Sequence, residues 1–196
     1  GSWSIRGTGT LALHGLGGQL YQTQSQAQLR VTPPLQLPGA LQLSVAGGLT
    51  QVKYLTVDAF DSITLELRSV LAYRTERAQA EASVGYLSDR ASSTRPGGDR
   101  VGWHASLQGR TRLAHEVFAE LGWTRQTWLN ESAYSPGLID QIRYQNTQVL
   151  RGALIFPVAE RQAIHVEVRQ VRNAENISIF QYNSRQLQVS WQWKNW

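Results

Sequence analysis

Apolar and polar residues alternate with a period of two along nearly the whole chain of 196 residues, and this alternation constrains the fold most strongly. A period of two indicates β-strands, because successive side chains of a strand point to opposite faces. In the first segment Ile5, Leu11 and Leu13 share one face, while Arg6 and Thr10 share the other. The sequence therefore predicts an all-β chain.

The alternating runs predict about ten strands, within a range of about 8–12, in one antiparallel, up-and-down transmembrane β-barrel. Strands of globular proteins usually have about 5–6 residues, whereas a tilted strand needs about 9–11 residues to cross a membrane. The predicted runs have the longer length and fill the chain as one domain, 1–196. Their spans are 3–13, 19–32, 41–54, 62–74, 77–89, 101–113, 116–129, 142–156, 162–172 and 184–194.

The predicted connections alternate in length over most of the chain. Short turns are expected at 75–76, 114–115 and 157–161, and longer polar loops at 90–100, 130–141 and 173–183. Short turns on one side and long loops on the other are typical of outer-membrane barrels. The first connections depart from this rule, because 14–18 is short where a long loop is expected.

Composition agrees with a barrel and argues against other classes. Charged residues make up 17% of the chain, below the quarter or so that is usual in soluble domains. No apolar run approaches the roughly 20 residues of a spanning helix. Cysteine is absent, which excludes disulfides and thiolate metal sites. The net charge of +5 comes from arginines that recur singly, so no nucleic-acid partner is expected.

The polar face of the predicted strands carries charged side chains that we expect to face the lumen. Placing Arg or Lys toward lipid near the membrane midplane costs about 2–4 kcal/mol. Two kinds of lumen are possible. Ion pairs between its own side chains fill it, which the acids interleaved among the arginines favour, or it is an open pore that prefers anions. The candidates are Arg6, Glu66, Arg68, Arg74, Glu81, Arg110, Arg112, Glu120, Arg151, His165, Glu167 and Arg169, with Lys194 beyond them.

Histidines raise the alternative of an outer-membrane enzyme that hydrolyses lipid or peptide at the extracellular rim. An acyl-transfer site needs a nucleophile and a base within hydrogen-bond reach. His104 and Ser106 lie two apart on one strand, but no nucleophile motif surrounds them. The sequence thus favours no catalytic residue, and no cofactor or metal ion is expected.

The C-terminal run alternates apolar residues and ends in aromatic ones. It resembles the terminal strand of bacterial outer-membrane β-barrel proteins, which the barrel-assembly machinery reads. The residues that carry this resemblance are Leu187, Val189, Trp191 and Trp193, whereas the final Trp196 is out of phase with them. The Gln- and Arg-rich strands also resemble the C-terminal barrels that follow tetratricopeptide repeats in exopolysaccharide exporters.

We therefore expect a protein of the bacterial outer membrane that acts as a narrow channel, export pore or membrane anchor. The expected partners include outer-membrane lipid and the barrel-assembly machinery. An upstream periplasmic domain or export complex is also expected, because the start Gly1-Ser2 indicates a mature or cloned fragment. Besides the enzyme, two alternatives stay open. One is an adhesion or receptor barrel that binds through its outer loops, and the other is a soluble lipocalin-like ligand carrier.

Overall fold

The computed structural model describes residues 3–16, 19–33, 37–92, 94–113 and 116–193. It contains one sheet in which every strand pairs antiparallel with its neighbour in sequence. The predicted fold class, all-β and up-and-down with about ten strands, is confirmed. The strands are β1 (Ser4–Leu16), β2 (Gln19–Thr32), β3 (Leu41–Tyr54), β4 (Ser62–Arg74), β5 (Ala78–Ala91), β6 (Arg100–Arg112), β7 (Phe118–Ser135), β8 (Ile139–Ala159), β9 (Gln162–Glu175) and β10 (Tyr182–Trp193).

The predicted loop at 130–141 is wrong, because β7 and β8 continue through most of it as a long hairpin. Only Pro136, Gly137 and Leu138 form the turn, in which the Leu138 amide donates to the Ser135 carbonyl at 3.0 Å. Gly137 has a φ of 83°. A proline followed by a glycine with positive φ is the sequence of a type II turn, which closes a hairpin without a long loop.

The sheet is strongly curved. The Arg30 guanidinium in β2 donates to both carboxylate oxygens of Glu81 in β5, at 3.1 and 3.2 Å. These strands are three positions apart, or about 14 Å across a flat sheet with strands about 4.8 Å apart. We call the side that carries Arg30 and Glu81 the polar face; it is the concave one.

Two glycines on the polar face permit close approach between strands. A Cβ atom at Gly85 would lie 2.6 Å from the Arg68 Cβ, and one at Gly102 would lie 1.8 Å from the Thr127 carbonyl oxygen. No other residue fits either position without displacement of the backbone. Because glycine has no side chain, β4 to β7 can bend tightly toward one another at these two positions.

The opposite, convex side carries large apolar side chains that no other part of the chain covers; we call it the apolar face. Leu11 and Leu121 are both 71% exposed, and Leu67 is 63% exposed. Fully buried side chains such as Val70 and Asp89 lie instead on the polar face. This arrangement is the reverse of a soluble lipocalin-like carrier, whose apolar residues point inward. The structure therefore argues against that alternative.

The two ends of the sheet differ. We call one the short-turn end, where β4–β5, β6–β7 and β8–β9 connect, and the other the long-loop end, where β5–β6, β7–β8 and β9–β10 connect. Within the described ranges, β1 and β10 are not paired with each other, so the sheet has two open edges. No helix in those ranges has the length and apolar character needed to cross a membrane.

Candidate functional site: a charged cavity on the polar face

All twelve predicted lumen residues lie on the polar face. Strand pairing places Arg6 opposite Arg30 and continues through Ala46 to Arg68, then through Gly85 to His104. The other candidates follow from these positions by the alternation along each strand.

A cavity of about 580 Å³ lies over the short-turn half of this face. Six consecutive strands, β4 to β9, contribute to its wall, as expected if the face is concave. Uncharged lining residues include Gln79, Gln108 and Thr124. Seven charged residues line it as well: Arg74, Glu81, Arg110, Glu120, Arg151, Glu167 and Arg169.

Ion pairs hold most of the charged wall in place. Arg151 bridges two carboxylates, with 3.2 Å to Glu120 and 2.7 Å to Glu167. Glu120 also lies 3.8 Å from Arg110, whose guanidinium stacks 4.3 Å from the Phe118 ring centroid. The three glutamates of the wall therefore all have arginine partners, because Glu81 is bound by Arg30.

Two arginines of the wall lack such a partner. Within the described ranges, neither Arg74 nor Arg169 lies within 4.0 Å of a carboxylate. Both side chains are exposed to the cavity's solvent. The wall thus presents an excess of positive charge, which attracts anions.

The middle of the polar face is packed more tightly and carries Glu66, Arg68 and His104. The carboxylate of Glu66 lies 3.8 Å from both the Arg68 guanidinium and the His104 Nδ1 atom. Both distances are too long for a hydrogen bond. The Nε atom of Arg68 and the Nδ1 atom of His104 are buried without a hydrogen-bond partner.

His104 and Ser106, the pair considered for catalysis, are not hydrogen-bonded to each other. The Ser106 hydroxyl shares a 2.7 Å hydrogen bond with the Ser83 hydroxyl, while His104 faces Glu66. His165 is buried on β9. In the part of the chain that the structure describes, these residues form no pair of nucleophile and base, and no cluster of three potential metal ligands occurs there.

At the long-loop end a first buried network, the Asp89 cluster (Thr64, Asp89, Arg95 and Arg100), ties a loop to the strands. The fully buried Asp89 carboxylate accepts hydrogen bonds from Arg95 at 2.9 Å, from Arg100 at 2.6 Å and from Thr64 at 3.0 Å. Arg100 also stacks 4.4 Å from the Trp128 ring centroid. Arg95 belongs to the β5–β6 loop, so this loop is fixed over the polar face.

A second network, the Glu175 cluster (Arg143, Asn173, Glu175 and Phe180), lies beside it. Arg143 donates to both Glu175 oxygens at 2.6 and 2.8 Å, and Asn173 donates to the same carboxylate at 2.6 Å. Arg143 also stacks 4.2 Å from the Phe180 ring centroid in the β9–β10 loop. The hydrogen bonds to Glu175 raise the pKa of Arg143, at the rim of the sheet.

The acids and arginines of these two clusters were not among the residues predicted from the sequence. Their position along the strands was nevertheless a usable signal, because Asp89 has the same parity in β5 as Glu81, and Glu175 has the same parity in β9 as Glu167. Both residues lie near the ends of their strands. The sequence predicted that β5 ends at residue 89 and β9 at residue 172.

The proposed assembly signal lies on the apolar face of β10. Leu187, Val189, Trp191 and Trp193 have exposed fractions of 65–71%. Trp196 and Lys194 lie outside the described residues, so their predicted roles stay predictions.

No protein-family model matches the chain, and no curated protein matches it in sequence. Among solved structures, the chain is similar to the β domain of the Bordetella autotransporter Brka, at 14% identity and a TM-score of 0.48. The match covers 96% of this chain and 84% of that one.

Proposed function

We propose that this chain is a β-barrel of the bacterial outer membrane that serves as a membrane anchor, with only a narrow, anion-preferring pathway through its charged interior. The observation that carries the proposal is the distribution of side chains over the two faces of one curved sheet. Large apolar residues cover the convex face, and charged pairs occupy the concave one.

The convex face fits a lipid environment. Monomeric soluble proteins rarely expose contiguous apolar patches of more than a few hundred Å². Here exposed leucine, isoleucine, valine and aromatic side chains recur on all ten strands. Lipid chains would cover such a surface, while the hydrogen-bonded strands leave few backbone groups unsatisfied inside the sheet.

The concave face fits an anchor better than a wide pore. Both buried clusters lie at the long-loop end, and Glu66, Arg68 and His104 lie together in the middle. The cavity of about 580 Å³ lies in the short-turn half. A solute that entered from that end would meet paired side chains, so we propose that only small ions pass.

Positive charge on the remaining open wall supports a preference for anions. Arg74 and Arg169 carry charge that no carboxylate of the described chain neutralises within 4.0 Å. Rings of Arg or Lys favour anions in narrow pores. An export pore for a larger substrate is the second candidate and requires both clusters at the long-loop end to open.

The proposed partners follow from the same faces. Outer-membrane lipid would contact the apolar face, and the barrel-assembly machinery would read the apolar side chains of β10. An upstream periplasmic domain or export complex would attach at the short-turn end, where β1 begins. The narrower resemblance to exopolysaccharide exporters has no support from the sequence or structure comparisons.

Paired arginine substitutions test the membrane location. Leu65, on the apolar face, is 51% exposed, whereas Gln108 lines the cavity. We expect Leu65→Arg to abolish insertion into liposomes and Gln108→Arg to preserve it. The readouts are liposome flotation and the mobility of unboiled against boiled protein on a denaturing gel. Equal insertion of both variants would contradict the assignment of faces.

A further inference from the structure

We infer that the two open edges of the sheet are complementary to each other and pair in the membrane, so that Ile5 of β1 faces Trp193 of β10 and the barrel closes with a shear of ten residues. This inference rests on the membrane location proposed above. It assigns a partner and a register to two edges that are unpaired in the structure.

The first observation is the drift of the strand register across the sheet. A row of directly paired residues begins at Ile5, the second residue of β1, and can be followed strand by strand. It passes through Val31, Val45, Ser69, Val84, Ala105, Arg125, Gln148 and Arg172, and it ends at Asn183, the second residue of β10.

This row climbs from one end of the molecule to the other. β1 begins at the short-turn end, whereas β10 begins at the long-loop end. The residue of β10 level with Ile5 is therefore near the other end of that strand. Trp193, ten residues beyond Asn183, is the last residue of β10, and its alternation places it on the same face as Ile5.

A shear of ten gives the geometry that closed barrels have. For ten strands with a rise of about 3.3 Å and a spacing of about 4.8 Å, it corresponds to a tilt of about 35°. Spanning barrels tilt by about 35–45°. A shear of eight gives only about 29°, and a shear of twelve gives about 40°. Odd values are excluded, because they would place the polar face of one edge against the apolar face of the other.

The number of residues that the two edges can pair distinguishes a shear of ten from a shear of twelve. With a shear of ten, all twelve residues of β10 face positions within β1, from Ile5 to Leu16. With a shear of twelve, the first two residues of β10 would face positions 17 and 18, which lie outside the described residues. Among the described residues, pairing at ten thus satisfies the most backbone groups, which matters in lipid because no water replaces a missing partner.

Side chains along the two edges also match at this register. On the apolar face Leu11 faces Leu187, and Gly7 faces Trp191, so a bare position meets a large ring. Aromatic residues opposite strand glycines are a recognised stabilising pair. On the polar face Thr8 faces Ser190, and Arg6 faces Gln192 without a clash of like charges.

The absence of cysteine from the chain makes the register directly testable. Directly opposed residues have Cβ atoms about 4.5–5.5 Å apart, close to disulfide geometry, whereas diagonal neighbours are about 7–8 Å apart. We would combine Thr8→Cys with Ser190→Cys for a shear of ten. The matched controls combine Thr8→Cys with Gln188→Cys for eight and with Gln192→Cys for twelve.

Each double variant would be refolded into liposomes, oxidised and run without reductant. We expect the Thr8/Ser190 variant alone to form an intramolecular disulfide efficiently, seen as a mobility shift that reductant reverses. A second pair in the same register, Gly9→Cys with Val189→Cys on the apolar face, repeats the test if the first pair fails to fold.

Every other result overturns the inference. Preferred cross-linking of either control pair would change the register, and a disulfide-linked dimer would show that the edges pair between copies. Failure of all pairs in folded, membrane-inserted protein would mean that β1 and β10 do not pair at a shear of eight, ten or twelve. Liposome flotation of the same samples reports the membrane location separately, so protein that floats without cross-linking refutes pairing of β1 with β10 and leaves the proposed membrane location standing.

Discussion

Arg30 and Glu81 form a two-bonded ion pair although two complete strands, β3 and β4, separate the strands that carry them. Paired strands alone do not bring such residues together, so the contact records curvature of the whole sheet. The pair also joins the N-terminal half of the polar face to the wall of the cavity, because Glu81 lines that cavity. Its removal should therefore affect the shape of the sheet and not only one local contact.

We expect Arg30→Ala to lower the free energy of unfolding by about 1–2 kcal/mol, since the pair has two charge-assisted hydrogen bonds but stays partly exposed. Urea unfolding in detergent micelles would measure the change. A double-mutant cycle with Glu81→Ala isolates the coupling between the two residues. A coupling energy near zero would show that the ion pair does not stabilise the folded sheet.

Gly102→Ala should lower the stability of the folded state by about 3 kcal/mol or more. The added Cβ would lie 1.8 Å from the Thr127 carbonyl oxygen, and relief requires movement of backbone in β6 or β7. Gly109→Ala on the same strand is the control, because its Cβ would meet nothing closer than 3.9 Å. The folded fraction on unboiled gels after refolding measures both, and similar losses would argue against the tight bend at Gly102.

Asp89→Asn should loosen the long-loop end. Removal of the charge leaves Arg95 and Arg100 without their buried partner, a change that costs about 3–5 kcal/mol in comparable buried pairs. We expect faster proteolysis between residues 90 and 100 and larger conductance in planar bilayers. Glu131→Gln, which removes one exposed charge from β7, is the control. Unchanged conductance and proteolysis in Asp89→Asn would show that this cluster does not obstruct the pathway.

Arg169→Gln should reduce anion preference. A unit charge about 6 Å from a passing ion changes its energy by somewhat less than 1 kcal/mol in water, or about threefold in permeability ratio. Reversal potentials under a salt gradient would measure this ratio. Arg185→Gln is the charge-matched control, because its alternation in β10 places it on the apolar face. Equal effects of the two substitutions would point to surface charge instead of the cavity wall.

Much of the fold was accessible from the sequence, because a membrane strand alternates over its full length. The predicted spans of β2, β3 and β4 coincide with the observed ones. Errors lie at strand ends, where polar residues fill both faces beyond the apolar zone. In the β7–β8 hairpin this polar extension was taken for a loop, although Pro136-Gly137 marked the turn.

The site was only partly predictable for a different physical reason. Alternation identifies which face a side chain occupies, so it placed Arg151 and Glu167 together on the polar face. Alternation does not predict the register between distant strands or the curvature of the sheet. Both determine whether Arg30 can reach Glu81 across two strands. Loop conformation also escapes it, so the insertion of Arg95 beside Asp89 could not be foreseen.

The strand order has a consequence for how the chain reaches its final form. All nine observed pairings join neighbours in sequence, so hairpins can form one after another through contacts that are local along the chain. Pairing between β1 and β10 would instead join residues separated by almost the full length, and the entropy of closing a loop grows with that length. Closure is then the last and slowest event. Until closure occurs, both open edges of the sheet, β1 and β10, remain able to pair with strands from other chains. The protein most needs protection from aggregation during this interval.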